Sequence, residues 1–511
     1  MGSRSKIISL AAAVTATATA GLAVRDILQK KHSLLRNYPV VGRARYALEG
    51  IRPQIQQYFI ERNWDGRPFD RDTRSLIYAR AKGEEDEGAF GTELDVSRIG
   101  AEYLVHSMVP VATPEDPPRV MVGGEDCSQP YSMSLMNVSA MSFGSLSHNA
   151  IRALNKGAEL GGFLHDTGEG AISSYHQEAN GDLLWELGTG YFGARDADGN
   201  FDPQRFRDRA ADEQIKCVSL KLSQGAKPGL GGMLPGPKVT EEIAEIRGIP
   251  VGKDCISPAM HRVFSTPVEL IEFIARMREL SGGKPAGFKL CVSSRTQVLA
   301  VCKAMLEVGT TPDFIIIDGS EGGTGAAPLE FEDHVGMPLT EGLSTVHNAL
   351  VGTGLRNRIK LGAAGKVAAG NDIVKRLIQG ADFTMSARAM MMAIGCIQAQ
   401  VCNTGECPVG VATQDARRAR ALDVEDKSMR VFRYHKATVY QAVHLMASMG
   451  VQDPSELDRS MLRKRISHKQ TVSFNELFDH VGEGQLLSDV PESWAEAWNA
   501  ASAHSFQPSH R

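Results

Sequence analysis

The chain has 511 residues, of which 42% are hydrophobic and 23% charged, with 51 glycines and a formal net charge of -4. That length exceeds one ordinary domain but fits one large barrel with flanking segments, and the balance is that of a globular protein rich in tight turns. The net negative charge argues against a nucleic-acid-binding surface.

Residues 7–24 form an 18-residue run without charge, containing seven alanines and three threonines. It is just long enough to cross a bilayer core. Arg4 and Lys6 precede it, whereas Arg25, Lys30, Lys31, Arg36, Arg43 and Arg45 follow. The positive-inside tendency then predicts a membrane anchor with the catalytic body in the cytoplasm. A cleaved signal peptide, with Ala18 to Ala20 near the cleavage site, and an organelle-targeting presequence are the competing readings. From 29 to 81 the text is basic with interspersed apolar and aromatic residues, among them Tyr46, Ile51, Ile55, Tyr58 and Phe59. It suits either a membrane face or an ordinary amphipathic helix packed on the body. The acidic, glycine-bounded stretch 83–88 reads as a solvated loop.

Beyond Met121 short apolar runs alternate with longer helix-compatible segments, the rhythm of a parallel sheet wrapped by helices. Eight strands are expected, at 134–140, 162–166, 184–191, 217–222, 287–292, 313–318, 359–361 and 382–385. Closure removes both edges, so a (β/α)8 TIM-type barrel is the economical α/β fold. A doubly wound open sheet is second, and no G-x-G-x-x-G follows the first strand. Glycine-rich loops follow successive strands: residues 318–326 after the sixth, 362–366 after the seventh and 386–389 after the eighth. Backbone N–H groups there suit a phosphate, and the succession points to FMN. None is a Walker sequence, so nucleoside triphosphate chemistry is not indicated. Lys289, inward on the fifth strand, is expected to place positive charge beside the flavin's pyrimidine side, the alternative being a snorkelling strand-end lysine.

Cys396, Cys402 and Cys407 follow, spaced C-x5-C-x4-C and succeeded at once by Pro408. Thiolates are soft donors, and three on one irregular loop suggest a 3Fe-4S cluster; the alternative is three buried apolar cysteines. Cys127, Cys217, Cys255, Cys291 and Cys302 are scattered singly, a usage that favours a reducing compartment. Residues 423–450 read as an amphipathic helix carrying Phe432, Val439, Val443 and Met446 on one face. Another helix is expected from Asp453, and a frayed end from Ala500.

The run from Cys396 through Pro408-Val-Gly-Val-Ala-Thr-Gln414 resembles the iron-sulfur loop of the glutamate synthase large subunit, with similarity over 121–415 and more loosely to Arg463. The resemblance implies an FMN-binding synthase barrel at 121–415 with an iron-sulfur loop after strand 8. Residues 1–28 are then a hydrophobic anchor or targeting segment, 29–120 a basic helical extension and 416–511 a helical tail. It further implies FMN contacts from Met141, Ser142, Lys289, Gly322, Gly323, Thr324, Gly325, Gly365, Lys366, Ser386, Ala387 and Arg388. The loop after the fourth strand is similar to the family's, and by that similarity Gln224, Lys227 and Arg247 bind 2-oxoglutarate, a dicarboxylate needing cationic and amide donors. Glu169 is the implied proton-handling carboxylate.

Leu230, Met233 and Pro237 stand where the family shows glutamate, glutamine and histidine, which leaves a different oxo acid or amine open. The full large subunit begins with a glutamine-hydrolysing domain, whereas this chain begins Met1, Gly2, Ser3, Arg4. Ammonia is therefore expected from solution or an amidotransferase partner. Electrons are expected from an external donor, ferredoxin-like or a reductase subunit, because no nicotinamide fingerprint is visible. The expected activity is reductive amination of a 2-oxo acid. Alternatives are an N-substituted glutamate synthase subunit and an electron-transfer subunit without keto-acid chemistry.

Overall fold

The computed structural model describes residues 2–508. Met1 and the last three residues of the expected frayed end lie outside the described residues. The chain divides after Asp72 into two compact units.

In the first unit the helix Gly2–Leu28 carries the apolar run. Its 6–28 stretch is long and apolar enough to cross a membrane, and its most apolar window is unburied. Thr15, Thr17 and Thr19 donate their hydroxyls to carbonyls one turn back at 2.8–2.9 Å, which satisfies the polar atoms within the helix. Asp26 near its end is buried, pairs with Arg43 and accepts from the Val40 N–H at 2.9 Å. A helix follows at Arg43–Ile55 and a π-helical turn at Gln56–Ile60.

The second unit is built on eight parallel strands that close into a barrel. They are β1 (Met136–Val138), β2 (His165–Asp166), β3 (Leu183–Leu187), β4 (Ile215–Lys221), β5 (Ala286–Leu290), β6 (Phe314–Asp318), β7 (Lys360–Ala364) and β8 (Phe383–Ser386). Strand alternation sorts the side chains. Leu183, Trp185, Val218, Leu220, Phe288, Ile315, Ile317, Leu361 and Ala363 pack outward with the helices. Leu164, Leu184, Cys217, Phe314, Ile316, Ala364, Phe383 and Met385 pack inward. An antiparallel pair, Val120–Val122 with Tyr131–Met133, plugs the lower end by adding Val122, Tyr131 and Met133 to that inner cluster.

All eight expected strands form, with shifted limits. β7 runs on through Gly362, Ala363 and Ala364, which the sequence reading assigned to a phosphate loop, because their amides and carbonyls join the ladder to Ile316, Ile317 and Asp318. β3 stops at Leu187 rather than Tyr191. The extension before the barrel is not wholly helical, since Glu102–Leu104 pairs with Leu462–Arg465, which in turn pairs with Thr471–Ser473. The tail likewise carries these two strands between its helices. The helix expected from Asp453 is only one 3-10 turn, Pro454–Glu456. The acidic loop is not purely solvated, because Asp86 pairs with buried Arg80 at 2.6 Å. Nor is the end frayed at Ala500: Lys303 Nζ holds the carbonyls of Trp498 and Ala501 at 2.6 and 2.9 Å, and Ala501 and Ala503 are buried.

The helix Val424–Ser448 buries Val439, Val443 and Met446 as the periodicity predicts, while Phe432 is half-buried. It crosses the helix His148–Gly161 so closely that a Cβ on Gly157 would lie 2.6 Å from Val431 Cβ and 2.9 Å from the Ser428 carbonyl. Gly157→Ala is therefore expected to destabilise the protein by about 1–3 kcal/mol, read as a lower midpoint in urea unfolding.

Candidate active site

The inward positions continue past the apolar layers to a charged layer at the carboxyl end of the barrel. Asp166 ends β2, Glu186 lies in β3, Lys221 ends β4, Lys289 lies in β5 and Asp318 ends β6. Each falls two or four residues beyond an inward apolar or small residue, so period two alone aims them into the mouth. Lys289 pairs with Glu186, both nearly fully buried. Burial alone would discharge this lysine, but the charges of Glu186, Asp166 and Asp318 hold it protonated, its pKa raised. Asp318 accepts from Gly225 N–H at 2.9 Å. Asp166 accepts from Gly168 N–H at 2.9 Å through one oxygen, and its other oxygen has no partner. Burial, then the Glu186 charge, push the Asp166 carboxyl up.

A second pair sits beside the first. Lys221 Nζ donates to Glu169 Oε1 at 2.6 Å and to Gln224 Oε1 at 2.7 Å. Burial pushes Glu169 up, but Lys221, Lys227 and Arg247 outweigh it and hold the carboxyl below its ordinary value. Its carboxylate is wedged against backbone, since a Cβ on Gly232 would stand 2.5 Å from Oε1. Lys227 is buried, donates to the Ala326 carbonyl at 3.2 Å, and is lowered to about 8 by burial and by Lys221. Arg247 is buried, donates to the Phe143 carbonyl at 3.0 Å, and lies 5.4 Å over the Phe192 ring. Its Nε has no hydrogen-bond partner among the described residues. Glu169, Gln224, Lys227 and Arg247 are thus brought into one electrostatic cluster. At two of the positions where the sequence departs from the family pattern, Met233 is 42% exposed and Pro237 is exposed.

On the first two loops, a Cβ at Gly168 would meet Ser142 N at 2.7 Å, leaving a surface of backbone beside Met141 and Ser142. On the far side Arg388 donates to the Glu321 carbonyl at 2.5 Å and crosses Gly323. Ser386 donates to the Val367 carbonyl at 2.8 Å. Gly365 and Lys366 both take positive φ directly after β7, and Lys366 is exposed. Gly322, Thr324 and Gly325 continue the loop after β6, Gly322 N–H donating to the Gly319 carbonyl at 2.8 Å, and Ala387 precedes the short helix Arg388–Ala393.

The loop after that helix carries the three cysteines, with Gln398 and Gln400 at positive φ. Cys407 is buried and the other two are half-buried. Burial pushes the Cys396 and Cys402 thiols up, as does the neighbouring Cys407 charge. Among the described residues no three His, Cys, Asp or Glu side chains gather as a metal-ion site. The cysteines share a loop and an electrostatic neighbourhood without converging on one ion. Buried Lys238 joins this loop to the loop after β1 by donating to the Cys402 carbonyl at 3.3 Å and the Ser145 carbonyl at 2.7 Å. Gln414 makes the same connection through the carbonyls of Gly144 and Leu146 at 3.0 and 2.9 Å.

The conserved region of glutamate synthase matches residues 113–452. The chain belongs to the glutamate synthase family. It is 35% identical over 495 residues to the glutamate synthase large subunit-like protein YerD of Bacillus subtilis (strain 168), covering 89% of this chain and 94% of that protein. It is 34% identical over 315 residues to an archaeal-type glutamate synthase [NADPH] of Thermotoga neapolitana, covering 61% of this chain and 58% of that protein. With the archaeal glutamate synthase [NADPH] of Methanocaldococcus jannaschii it shares 33% over 332 residues, or 64% of this chain and 61% of that protein. The chain thus spans about three-fifths of the relatives named for NADPH. It is an oxidoreductase of this family.

Sequence reasoning singled out Glu169, Gln224, Lys227, Arg247 and Lys289 as candidates, and did not single out the residues that pair with them or lie beside them, Lys221, Glu186, Asp166 and Asp318, nor Lys238. A signal existed for some: Lys221 and Glu186 interrupt apolar strands at the same parity as Cys217 and Leu184. Lys221→Met is expected to raise the Glu169 titration, because its largest lowering partner is lost. Infrared spectroscopy of the carboxyl band against pH checks the shift.

Proposed function

We propose that this family member is an FMN and 3Fe-4S oxidoreductase that reductively aminates a 2-oxo acid, 2-oxoglutarate, with ammonia. The observation that carries the reading is the gathering of Lys221, Lys227 and Arg247 around Glu169 at the barrel mouth, a cationic pocket with one fixed carboxylate. The backbone face at Gly168 and Ser142, buried Lys289 and the basic group Lys366 and Arg388 after β7 and β8 fit a flavin and its phosphate. The thiols of Cys396, Cys402 and Cys407 fit a cluster, whose irons take separate thiolates and need no single meeting point. When bound, FMN supplies hydride to the imine formed from oxo acid and ammonia, and the cluster supplies electrons to FMN.

Within that chemistry Arg247 and Lys227 clamp the two carboxylates and Gln224 orients the oxo group. Glu169, kept ionised by Lys221, takes a proton from ammonium at its carboxylate oxygens and returns one to the departing hydroxyl. Lys289 would hold positive charge beside the flavin. Electrons come from an external donor, ferredoxin-like or a reductase subunit, and ammonia from solution or an amidotransferase partner. The 6–28 span and the basic residues after it support a membrane anchor with the body on the cytoplasmic side.

In anaerobic stopped-flow absorbance, reduced protein is expected to reoxidise rapidly with 2-oxoglutarate plus ammonium and slowly with methylamine in its place. Lys227→Ala loses about 10- to 100-fold in the apparent affinity for the oxo acid, the weight of a charge-assisted hydrogen bond. Absence of reoxidation at full FMN and iron content refutes the assignment. Oxo-acid binding is strongest below pH 8 and weakens as the pH rises through about 8, where Lys227 gives up its proton. Kd measured from pH 6.5 to 9.5, a range of about three units around that value, checks the direction.

A further inference from the structure

The helix Arg43–Ile55 and the turn Gln56–Ile60 lie outside residues 113–452, the part that matches the conserved region of glutamate synthase, and they carry an unburied apolar stripe. Leu48, Ile51, Ile55 and Phe59 fall at i, i+3, i+7 and i+11, which puts them on one helical face. Burial does not account for them: Leu48 is 61% exposed, Ile51 50% and Phe59 84%, with adjacent Tyr58 and Ile60 at 52% and 58%. Arg45 and Arg52, seven residues apart, run along one edge of the stripe. Residues 29–62 hold seven basic residues, Lys30, Lys31, Arg36, Arg43, Arg45, Arg52 and Arg62, against only Glu49 and Glu61. The pair between buried Asp26 and partly exposed Arg43 ties the start of this helix to the end of the apolar helix that precedes it. An exposed stripe flanked by cations, pinned beside an apolar span, has the composition of a helix lying in a bilayer interface.

We propose that residues 43–60 form a membrane-surface strap that seats its apolar face at the acyl boundary of an anionic leaflet, with Lys30, Lys31, Arg45 and Arg52 on the headgroups. The proposal rests on the membrane reading above and adds the lipid class and the residues that recognise it. Helix and charge do separate work. The stripe supplies the buried area, and the cations select anionic over neutral lipid.

Full-length protein in nanodiscs of phosphatidylcholine, alone or mixed with phosphatidylglycerol, tests it by backbone hydrogen exchange. Amides of residues 45–60 are expected to exchange about tenfold more slowly on anionic than on neutral discs, and the difference collapses at about 0.5 M salt. Phe59→Glu combined with Leu48→Glu abolishes the protection while the chain still resists alkaline carbonate extraction. Equal exchange on both lipids, unchanged in the double variant, overturns the strap and assigns this face to a protein partner. Release by carbonate together with retained, salt-sensitive flotation on phosphatidylglycerol vesicles sustains the strap and overturns the span alone.

Discussion

Lys289 and Glu186 meet inside the barrel with almost no solvent, and much of the mouth is arranged around that contact. A buried charge left without its partner destabilises a fold by several kcal/mol, so neither residue tolerates loss of the other. β3 and β5 flank β4 in the closed sheet, so the pair reaches across one strand, and Lys221 at the end of that strand forms the second pair with Glu169. Asp166 and Asp318 complete the layer from β2 and β6.

Beside this layer lie the residues proposed to hold the substrate. Arg247 and Lys227 are buried, and burial lowers the pKa of both. Glu169 counters that by supplying the one carboxylate among three cations. The result is a carboxylate held ionised among three cations, the electrostatic form that the proposed dicarboxylate site calls for. Lys238 performs a mechanical task from the other side, joining the cysteine loop to the loop after β1 through two carbonyls, so the expected cluster loop and flavin face are held to one framework.

The glycines play an unequal part. Gly157 matters to packing, letting the helix Val424–Ser448 settle on its neighbour, whereas Gly232 matters to the site, giving Glu169 room against backbone. A sequence offers no means of separating these two roles, since each glycine is visible only as a missing side chain.

Strand periodicity, loop chemistry and the spacing of three cysteines were local properties, and for that reason the barrel, its order of strands and the chemistry-bearing loops were legible in the sequence. Glu169, Gln224, Lys227 and Arg247 were legible by resemblance to a family pattern. The partnerships were not. Lys221 with Glu169, separated by 52 residues, and Lys289 with Glu186, separated by 103, become neighbours only when strands distant in sequence lie side by side. The antiparallel pairing that made part of the tail a sheet and the pinning of Ala501 by Lys303 were likewise decided by tertiary contacts, because burial and long-range hydrogen bonding override local propensity wherever a segment finds a partner.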